Sequence, residues 1–300
     1  MPIDLALRRR FYAEEIQAVS NLKSEGLVEA FARVERERFL PPGPWLVKGE
    51  ADFGTPPHPT PDADPRHLYH NFSVAIDPAR QLFNGAPSLV GVCIDALAVV
   101  PGAHALHVGC GLGYYTAVLA HCCGERGRVL GLEADEALAS RAQINLSSLA
   151  SVQLRHGDAR AWPDEPFDAV LFSAGVTHLR TEWLDGLRPG GTLVVPLTYA
   201  FSPAAPIGKG FYIAITRKNG GAYAARLVTF VAIYSATGLR EEAANKRLSE
   251  SMRTNPMPAF TCVRRESHDP EASCWLHGEG WCLTIDTAPG SGPKGQAIIA

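Results

Sequence analysis

The sequence lacks an excess of charge of either sign. Its 300 residues carry 28 Lys and Arg against 31 Asp and Glu, which gives a formal net charge of −3 at pH 7. Proteins that bind nucleic acids through the phosphate backbone usually present a strongly basic surface, so we expect no nucleic-acid partner. The hydrophobic share of 46% is typical of a globular protein with a sizeable core.

The sequence also lacks an unbroken hydrophobic run that could span a membrane. Between Gln81 and Cys123 the only charged residue is Asp95, but glycines and prolines interrupt this stretch repeatedly. A membrane-spanning helix needs about 20 consecutive apolar residues. Residues 1–30 do not contain the continuous apolar segment of a secretory signal. We therefore expect no membrane association.

No two cysteines form a Cys-x-x-Cys pair, which is the spacing most typical of zinc sites. On this ground we expect no metal site. The chain has seven cysteines, an odd number, and they lie mostly in apolar surroundings: 93, 110, 122, 123, 262, 274 and 282. Such cysteines suit reduced thiols in the cytoplasm, which is the localisation we expect.

What the sequence does contain is an alternation of strand and helix patterns. Short apolar runs bounded by glycine and proline predict strands, and longer runs between them predict helices. The predicted strands are residues 104–108, 128–132, 152–155, 169–172 and 192–197, and the predicted helices between them are residues 114–123, 136–149 and 182–187. This alternation predicts an α/β fold with a Rossmann-like, doubly wound, mostly parallel sheet.

We predict three regions along the chain: an N-terminal helical region with a proline-rich lid at 1–65, the α/β domain at 66–235, and a C-terminal extension and tail at 236–300. The lid is inferred from eight prolines between Pro41 and Pro65. The α/β domain should end in a β-hairpin beyond residue 210. The extension should contain strands around 259–264 and 281–285, followed by a loose tail at 286–300.

A glycine loop follows the first predicted strand of the α/β domain. Gly109, Gly111 and Gly113 alternate with Cys110 and Leu112, and a predicted helix then begins. Glycines let the backbone turn sharply and approach a ligand closely. This G-x-G-x-G spacing is one residue tighter than the G-x-G-x-x-G of dinucleotide-binding proteins, so a pyrophosphate is not the expected ligand.

Acidic residues follow the next two predicted strands. Glu133 lies 24 residues after Gly109, and a carboxylate at that position can accept hydrogen bonds from both hydroxyls of a ribose. Asp158, followed by Ala159, ends the third strand, where an acid can accept a hydrogen bond from an adenine amino group. The three features in this order predict a nucleoside site at the carboxyl edge of the sheet.

With these features the sequence resembles the class I S-adenosylmethionine-dependent methyltransferases, and more narrowly the protein-L-isoaspartate O-methyltransferase family. The stretch V-E-R-E-R-F-L-P at 34–41 is similar to that family's V-P-R-x-x-F-V-P element. The segment L-R-P-G-G-T-L-V-V-P at 187–196 is similar to its L-K-P-G-G-R-L-x-x-P segment. Further similarity lies at 108–120 and 166–175, and the resemblance extends over about residues 10–235.

The resemblance implies a cofactor, a reaction and a set of binding residues. The cofactor would be S-adenosyl-L-methionine, bound by the domain at 66–235, and its methyl group would pass to a carboxylate of a protein or peptide. The cofactor-binding residues would be Gly109, Cys110, Gly111, Gly113, Tyr114, Glu133, Asp158 and Ala159. Either Tyr114 or the adjacent Tyr115 would pack near the sulfonium.

The reacting centre is predicted less directly. The family carries an I-S-x-P element whose hydroxyl residue sits at that centre, and alignment on Pro87 puts Gly85 in its place. Asn84 and Ser88 are the neighbouring polar residues, so we treat both as catalytic candidates. A hydroxyl or amine acceptor would need a general base, for which His178 and His70 are candidates.

Two alternatives to a protein carboxyl methyltransferase remain. One is a methyltransferase of the same fold that methylates an oxygen or nitrogen of a small metabolite, with the proline-rich lid and the C-terminal extension closing its pocket. The other is a non-catalytic module that binds S-adenosylmethionine. The sequence predicts neither the identity of the acceptor nor the oligomeric state.

Overall fold

The computed structural model describes residues 4–49, 55–202 and 205–285. It contains a ten-stranded sheet with helices packed on it and a smaller four-stranded sheet near the N-terminus. The loose tail predicted at 286–300 lies outside the described residues, as does the part of the predicted lid at 50–54.

The described residues form seven α-helices, three of which lie close to the bounds predicted at 114–123, 136–149 and 182–187. The helices are Leu5–Ser20 (α1), Glu25–Arg33 (α2), Pro87–Ala96 (α3), Tyr114–Cys123 (α4), Glu136–Asn145 (α5), Thr181–Asp185 (α6) and Glu242–Thr254 (α7), with 3-10 turns at Arg36–Phe39 and Pro65–Leu68. Several begin with a side-chain cap. Asp4, Ser24 and Asp135 accept hydrogen bonds from backbone N–H groups in the first turns of α1, α2 and α5.

The strands fall into two sheets. They are Leu46–Gly49 (β1), His58–Pro59 (β2), Phe72–Asp77 (β3), Leu82–Phe83 (β4), His104–Val108 (β5), Arg128–Glu133 (β6), Val152–His156 (β7), Phe167–Phe172 (β8), Leu187–Tyr199 (β9), Ile207–Arg217 (β10), Tyr223–Tyr234 (β11), Cys262–Arg264 (β12), Cys274–Gly278 (β13) and Trp281–Thr284 (β14). The small sheet has the order β2-β1-β3-β4, and the large sheet has the order β13-β14-β12-β11-β10-β9-β8-β5-β6-β7.

The large sheet confirms the Rossmann-like prediction and extends it. The strands β7, β6, β5, β8 and β9 are parallel neighbours, and the order reverses on either side of β5. From β9 onward the pairing is antiparallel, through the predicted hairpin of β10 and β11 and into the C-terminal extension. The carboxyl ends of β5, β6, β7 and β8 therefore lie along one edge, where α/β proteins bind ligands.

Alternate residues of each central strand pack into two separate cores. On β5, Ala105 belongs to a core built with α1, α2, α3 and α4, whereas Leu106 belongs to a second core on the other face. Trp183 of α6 and Leu248 of α7 are fully buried in that second core. Both faces of the parallel sheet are thus covered, which fixes the strand ends that carry the predicted site.

The region boundaries proposed from the sequence do not coincide with gaps in the structure. The boundary at 65/66 falls inside the small sheet, because β1 and β2 precede it while β3 and β4 follow it. The boundary at 235/236 separates strands of one continuous sheet, since β12 pairs with β11. The extension also contains a helix, α7, and a strand, β13, that the sequence analysis left out.

Arg36 connects the N-terminal turn to the segment that leads into β3. Its guanidinium is fully buried and donates hydrogen bonds from Nη1 to the carbonyl oxygens of Leu68 (2.8 Å) and His70 (3.3 Å), and from Nη2 to that of Phe72 (2.7 Å). It also lies over the ring of Tyr114, the first residue of α4, at 5.7 Å from the centroid. One side chain therefore fixes the small sheet against the large one.

None of the helices in the described residues is both long and apolar enough to cross a lipid bilayer.

We expect Arg36→Met to lower the free energy of unfolding by about 3 kcal/mol or more. The substitution would leave three backbone carbonyls without their donors, and each hydrogen bond to a charged group contributes about 1.5–3 kcal/mol. Arg38→Met in the same turn is the matched control, because that side chain is 68% exposed and pairs with Glu35 on the surface; its cost should stay below about 1 kcal/mol. Urea denaturation of both variants measures the difference, and equal costs would contradict the structural role given to Arg36.

Candidate active site

A cavity of about 1030 Å³ lies at the carboxyl ends of the parallel strands. The ends of β5, β6, β7 and β8 form its floor, and the small sheet, the turn before α3 and the outer part of β11 form its other walls. Most of the residues predicted from the sequence line it together: Asn84, Gly109, Cys110, Gly111, Tyr114, Glu133, Asp158 and Ala159. The cavity therefore combines features that lie up to 75 residues apart in the sequence.

The glycine loop has the backbone conformation that its spacing predicts. Gly111 has a φ of 57° and Gly113 a φ of 95°, both in the left-handed region that favours glycine. Gly113 does not line the cavity. It precedes α4, and a Cβ there would stand 2.8 Å from Leu146 Cδ1. Its role is thus to bring the start of α4 against the end of α5, whereas Gly109 and Gly111 form the cavity wall.

Glu133 is held in place by the backbone of the loops on either side of it. Its Oε2 accepts a hydrogen bond from the N–H of Gly111 at 2.7 Å, and its Oε1 accepts one from the N–H of Asp135 at 3.0 Å. The side chain is buried, and this burial raises the pKa of the carboxyl group. A carboxylate offers about four lone-pair positions, so each fixed oxygen can still accept a hydrogen bond from a ligand hydroxyl.

Asp158 and Ala159 lie at the end of β7, next to Glu133. Arg160 forms an ion pair with Asp158, with 2.7 Å between Nη2 and Oδ2, and this hydrogen-bonded partner lowers the pKa of the Asp158 carboxyl. The carbonyl of Ala159 accepts a hydrogen bond from Trp183 Nε1 at 3.1 Å, which ties this loop to the core. Asp158 is therefore ionised and available as an acceptor at the cavity wall.

His107 is a cavity residue that the sequence analysis missed. It lies on β5 below the glycine loop, with Nδ1 at 2.8 Å from Thr116 Oγ1 and Nε2 at 2.8 Å from Ser173 Oγ. Complete burial lowers the pKa of the imidazole to about 3, so it is neutral at pH 7. The signal that could have revealed His107 is a histidine inside an otherwise apolar strand. Its hydroxyl partners are Thr116 in the following helix and Ser173 after a neighbouring strand.

Among the catalytic candidates, Asn84 lies in the cavity. Its Oδ1 accepts a hydrogen bond from the N–H of Val74 at 2.8 Å, and its own N–H donates to the carbonyl of Val74 at 3.0 Å. These bonds attach the end of β4 to β3. The Nδ2 of Asn84 is buried with no hydrogen-bond partner in the described part of the chain. It is therefore a donor that a bound acceptor can use.

The structure places the other catalytic candidates away from the cavity lining. Ser88 lies in the first turn of α3, where its N–H donates to Asn71 Oδ1 at 3.0 Å. Nε2 of His178 lies 3.3 Å from Glu241 Oε1, and its Nδ1 lies 3.0 Å from Thr177 Oγ1. The chain after β8 therefore turns toward the C-terminal extension. His70 lies beside Phe72 outside the cavity. The structure therefore does not bring Ser88, His178 and His70 to the cavity lining.

A hydroxyl group does lie beside Gly85, but it comes from another element. Tyr115 Oη donates a hydrogen bond to the carbonyl of Gly85 at 2.5 Å, and both residues line the cavity. Position 85 itself leaves little room for a side chain, since a Cβ there would meet Val90 Cγ2 at 2.5 Å. Local alignment cannot predict this arrangement, because the two residues lie 30 positions apart.

One cluster of potential metal ligands bears on the expectation of no metal site. In the C-terminal extension His268, Cys274, His277 and Cys282 bring one potential ligand atom each to within 4.8 Å of one another. The close spacing here is Cys274-x-x-His277 and not a Cys-x-x-Cys pair. This second group of residues is separate from the cavity.

Comparison with known proteins points to one family. The family model described as protein-L-isoaspartate(D-aspartate) O-methyltransferase matches residues 62–209. A protein-L-isoaspartate O-methyltransferase of Methylorubrum populi is 30% identical over 239 residues, which cover 78% of this chain and 97% of that protein. Protein-L-isoaspartate O-methyltransferase 1 of Rhodopseudomonas palustris is 32% identical, with 64% of this chain and 69% of that protein covered.

Solved structures share the fold. A structure titled protein-L-isoaspartate O-methyltransferase superposes with a TM-score of 0.62 at 17% identity, covering 85% of this chain and 73% of that one. A putative protein-L-isoaspartate O-methyltransferase of Plasmodium falciparum, in complex with S-adenosyl-L-homocysteine, superposes with a TM-score of 0.57 at 18% identity, covering 76% and 98%. Both likenesses agree with the class I methyltransferase fold.

We expect His107 to make stability fall on acidification. Because the pKa of His107 is lowered from 6.5 to about 3 in the folded chain, the unfolded chain binds a proton between these values that the folded chain excludes. The resulting loss of unfolding free energy is small above pH 6.5 and grows as the pH falls. Between pH 7 and pH 5 it should reduce the free energy of unfolding by about 2 kcal/mol.

Urea denaturation at both pH values tests this expectation. His107→Gln should lose about 2 kcal/mol less than the wild type over that interval, since it cannot take up the proton. His156→Gln, at an exposed position at the end of β7, is the matched control and should keep the wild-type dependence. An unchanged pH dependence in His107→Gln would contradict the buried neutral state.

Proposed function

The chain belongs to the protein-L-isoaspartate O-methyltransferase family, and we propose that it transfers the methyl group of S-adenosylmethionine to a carboxylate of a protein or peptide. Membership of this family makes the chain an S-adenosylmethionine-dependent methyltransferase. S-adenosylmethionine supplies an electrophilic methyl carbon on a sulfonium sulfur, so the enzyme has to position the two reactants and exclude water.

The residues of the cavity fit this cofactor. Glu133 presents two backbone-anchored oxygens where the ribose hydroxyls are expected, and Asp158 presents an ionised acceptor at the next strand end. Gly111 lets the glycine loop pass close to Ile76 of β3, since a Cβ at this position would lie 3.2 Å from Ile76 Cδ1. The remaining volume leaves space for an acceptor beside the nucleoside.

The observation that favours a carboxylate acceptor is that no general base is available. Every acid and histidine that lines the cavity, within the described residues, already has a fixed partner: Glu133 the N–H of Gly111, Asp135 the guanidinium of Arg80, Asp158 that of Arg160, and His107 two hydroxyls. Burial raises the pKa of the cavity tyrosines Tyr114, Tyr115, Tyr212 and Tyr234, so they stay protonated. A carboxylate is ionised at pH 7 and needs no base.

Donor groups on the opposite wall are consistent with an anionic acceptor. The unpartnered Nδ2 of Asn84 and the side chain of Lys48 both belong to the cavity lining. An amide N–H and an ammonium group can each bind a carboxylate oxygen. We propose that these two residues orient the acceptor, with Tyr115 holding the backbone turn at Gly85 in place.

The acceptor class is tested with isotopically labelled cofactor and a pair of peptides. The two peptides share one sequence and differ in carrying an isoaspartyl or an ordinary aspartyl residue. We expect label in the isoaspartyl peptide, and we expect mild alkali to release it as methanol, because methyl esters are labile to base whereas methyl ethers and methylamines are not. Scintillation counting of the volatile fraction measures this release.

Other outcomes of that assay would overturn the proposal. Label that survives alkali would mean a hydroxyl or amine acceptor, and therefore the alternative of a different substrate class. Absence of label from both peptides, in protein that binds S-adenosylhomocysteine normally, would exclude these peptide carboxylates and favour a small-molecule acceptor.

Cofactor binding is tested separately with Glu133→Gln. An amide has only one acceptor oxygen, so its NH₂ group would face the N–H of Gly111 or of Asp135 and would also lose a ribose contact. We expect affinity for S-adenosylhomocysteine to fall by about 10- to 100-fold, or about 1.4–2.8 kcal/mol, in calorimetric titration. Glu136→Gln, on the exposed side of α5, should bind like the wild type. Equal affinities for the two variants would rule out the proposed ribose contact.

We propose the cytoplasm as the location of the chain. None of the seven cysteines, all of which lie in the described residues, forms a disulfide bond in the structure. Unbridged cysteines in this number are typical of proteins kept under reducing conditions.

A further inference from the structure

Four potential metal ligands meet in the C-terminal extension, and none of them lines the cavity. Cys274 and His277 lie on β13, Cys282 lies on β14, and His268 lies in the loop after β12. One nitrogen or sulfur atom from each lies within 4.8 Å of those of the other three. Cys282 is buried and the other three are partly buried.

The pairing of β13 with β14 is what brings these side chains to one face. Residues three apart in a regular strand, such as Cys274 and His277, point to opposite faces of a sheet. Here the register shifts between Cys274 and Leu276, so that Cys274 pairs with Thr284 while His277 pairs with Cys282. The extra residue turns Cys274 to the side of His277 and Cys282.

The hydrogen bond that His268 donates from Nδ1 leaves its Nε2 available to bind a metal. Its Nδ1 lies 2.8 Å from the carbonyl of Glu266, which can only accept, so Nδ1 carries the proton. Nε2 then has a free lone pair, and it lies 3.3 Å from Cys274 Sγ. A backbone carbonyl behind the outer nitrogen is a common arrangement for metal-binding histidines.

The second histidine has an unsatisfied nitrogen. Within the described residues, Nδ1 of His277 is buried and has no hydrogen-bond partner. Its ring packs edge-on against that of His268, with 4.7 Å between the centroids. Buried polar atoms in folded proteins are nearly always paired. The unpaired nitrogen of His277 therefore points to a bound partner that the protein atoms do not provide.

We propose that His268, Cys274, His277 and Cys282 bind one Zn²⁺ ion in a tetrahedral site. Two thiolates and two imidazoles are the ligands that this ion prefers. Binding would release the protons of the two thiols to solvent. Because four protein ligands leave no coordination position open, the site is structural: it fastens the loop after β12 to the β13–β14 hairpin at the end of the sheet.

The ion is tested first on the unsubstituted full-length chain. We expect purified protein to contain about one zinc per chain by elemental analysis. After removal of the zinc, titration with Co²⁺ should produce the visible absorption of tetrahedral cobalt and a sulfur-to-cobalt charge-transfer band in the near ultraviolet. These spectra identify thiolate ligation without any substitution, so the result does not depend on how a variant folds.

Substitutions then assign the ligands. Cys274→Ser and His268→Ala should lose the bound zinc and weaken the cobalt charge-transfer band. Cys122→Ser is the matched control, since Cys122 is also a partly buried thiol but lies on α4, and it should keep both signals.

Two results on the unsubstituted chain would overturn the proposal. One is a chain that binds neither zinc nor cobalt with its thiols reduced. The other is loss of two titratable thiols in protein purified without reductant, together with absence of metal, which would mean that Cys274 and Cys282 form a disulfide instead. Metal binding that is equal in Cys274→Ser and Cys122→Ser would place the ion elsewhere.

Discussion

The buried guanidinium of Arg36 determines how the cavity is closed. Within the described residues no carboxylate pairs with it, and its charge is met by three backbone carbonyls and by aromatic faces. A buried charge is costly unless it is hydrogen-bonded. Nε of Arg36 has no hydrogen-bond partner in the described residues, so the chain from 68 to 72 must stay where its carbonyls reach Nη1 and Nη2. This segment leads into β3, which carries Ser73 and Ile76 to the cavity wall. The ring of Tyr114, the first residue of α4, lies against the same guanidinium. The guanidinium of Arg36 thereby positions both the small-sheet wall of the cavity and the start of α4 after the glycine loop.

The cavity lining contains both acidic groups and hydrogen-bond donors. At the ends of β6 and β7, Glu133 and Asp158 present negative oxygens to a nucleoside, and their positions are fixed by backbone N–H groups and by Arg160. Lys48 on β1 and Asn84 just after β4 present donors. Neutral His107 lies on β5 beneath the glycine loop, held by Thr116 and Ser173. Such a combination suits a reaction between a cationic cofactor and an anionic acceptor, because each reactant meets its complement before the two are brought together.

Sequence reasoning succeeded where a feature depends on local pattern. The bounds of β5 and α4 are those predicted, and the order of glycine loop, Glu133 and Asp158 follows from the fact that parallel strands end at one edge. It failed where contacts depend on loops or on long-range pairing. The chain after β8 carries His178 away to Glu241, and the hydroxyl beside Gly85 comes from Tyr115. The cluster of two cysteines and two histidines needs a register shift within β13, which residue spacing alone does not reveal.

The large sheet ends at β7, and the residues of this strand limit how copies of the chain can associate. In the described chain β7 pairs only with β6, so its outer side carries unpaired backbone groups. Gln153, Arg155 and His156 are exposed along the strand, and Arg155 is also drawn toward Glu165, with 3.7 Å between Nη2 and Oε1. Charged and polar side chains on a short outermost strand oppose the addition of a strand from another molecule. These side chains therefore disfavour association of copies of the chain by continuation of the sheet at β7.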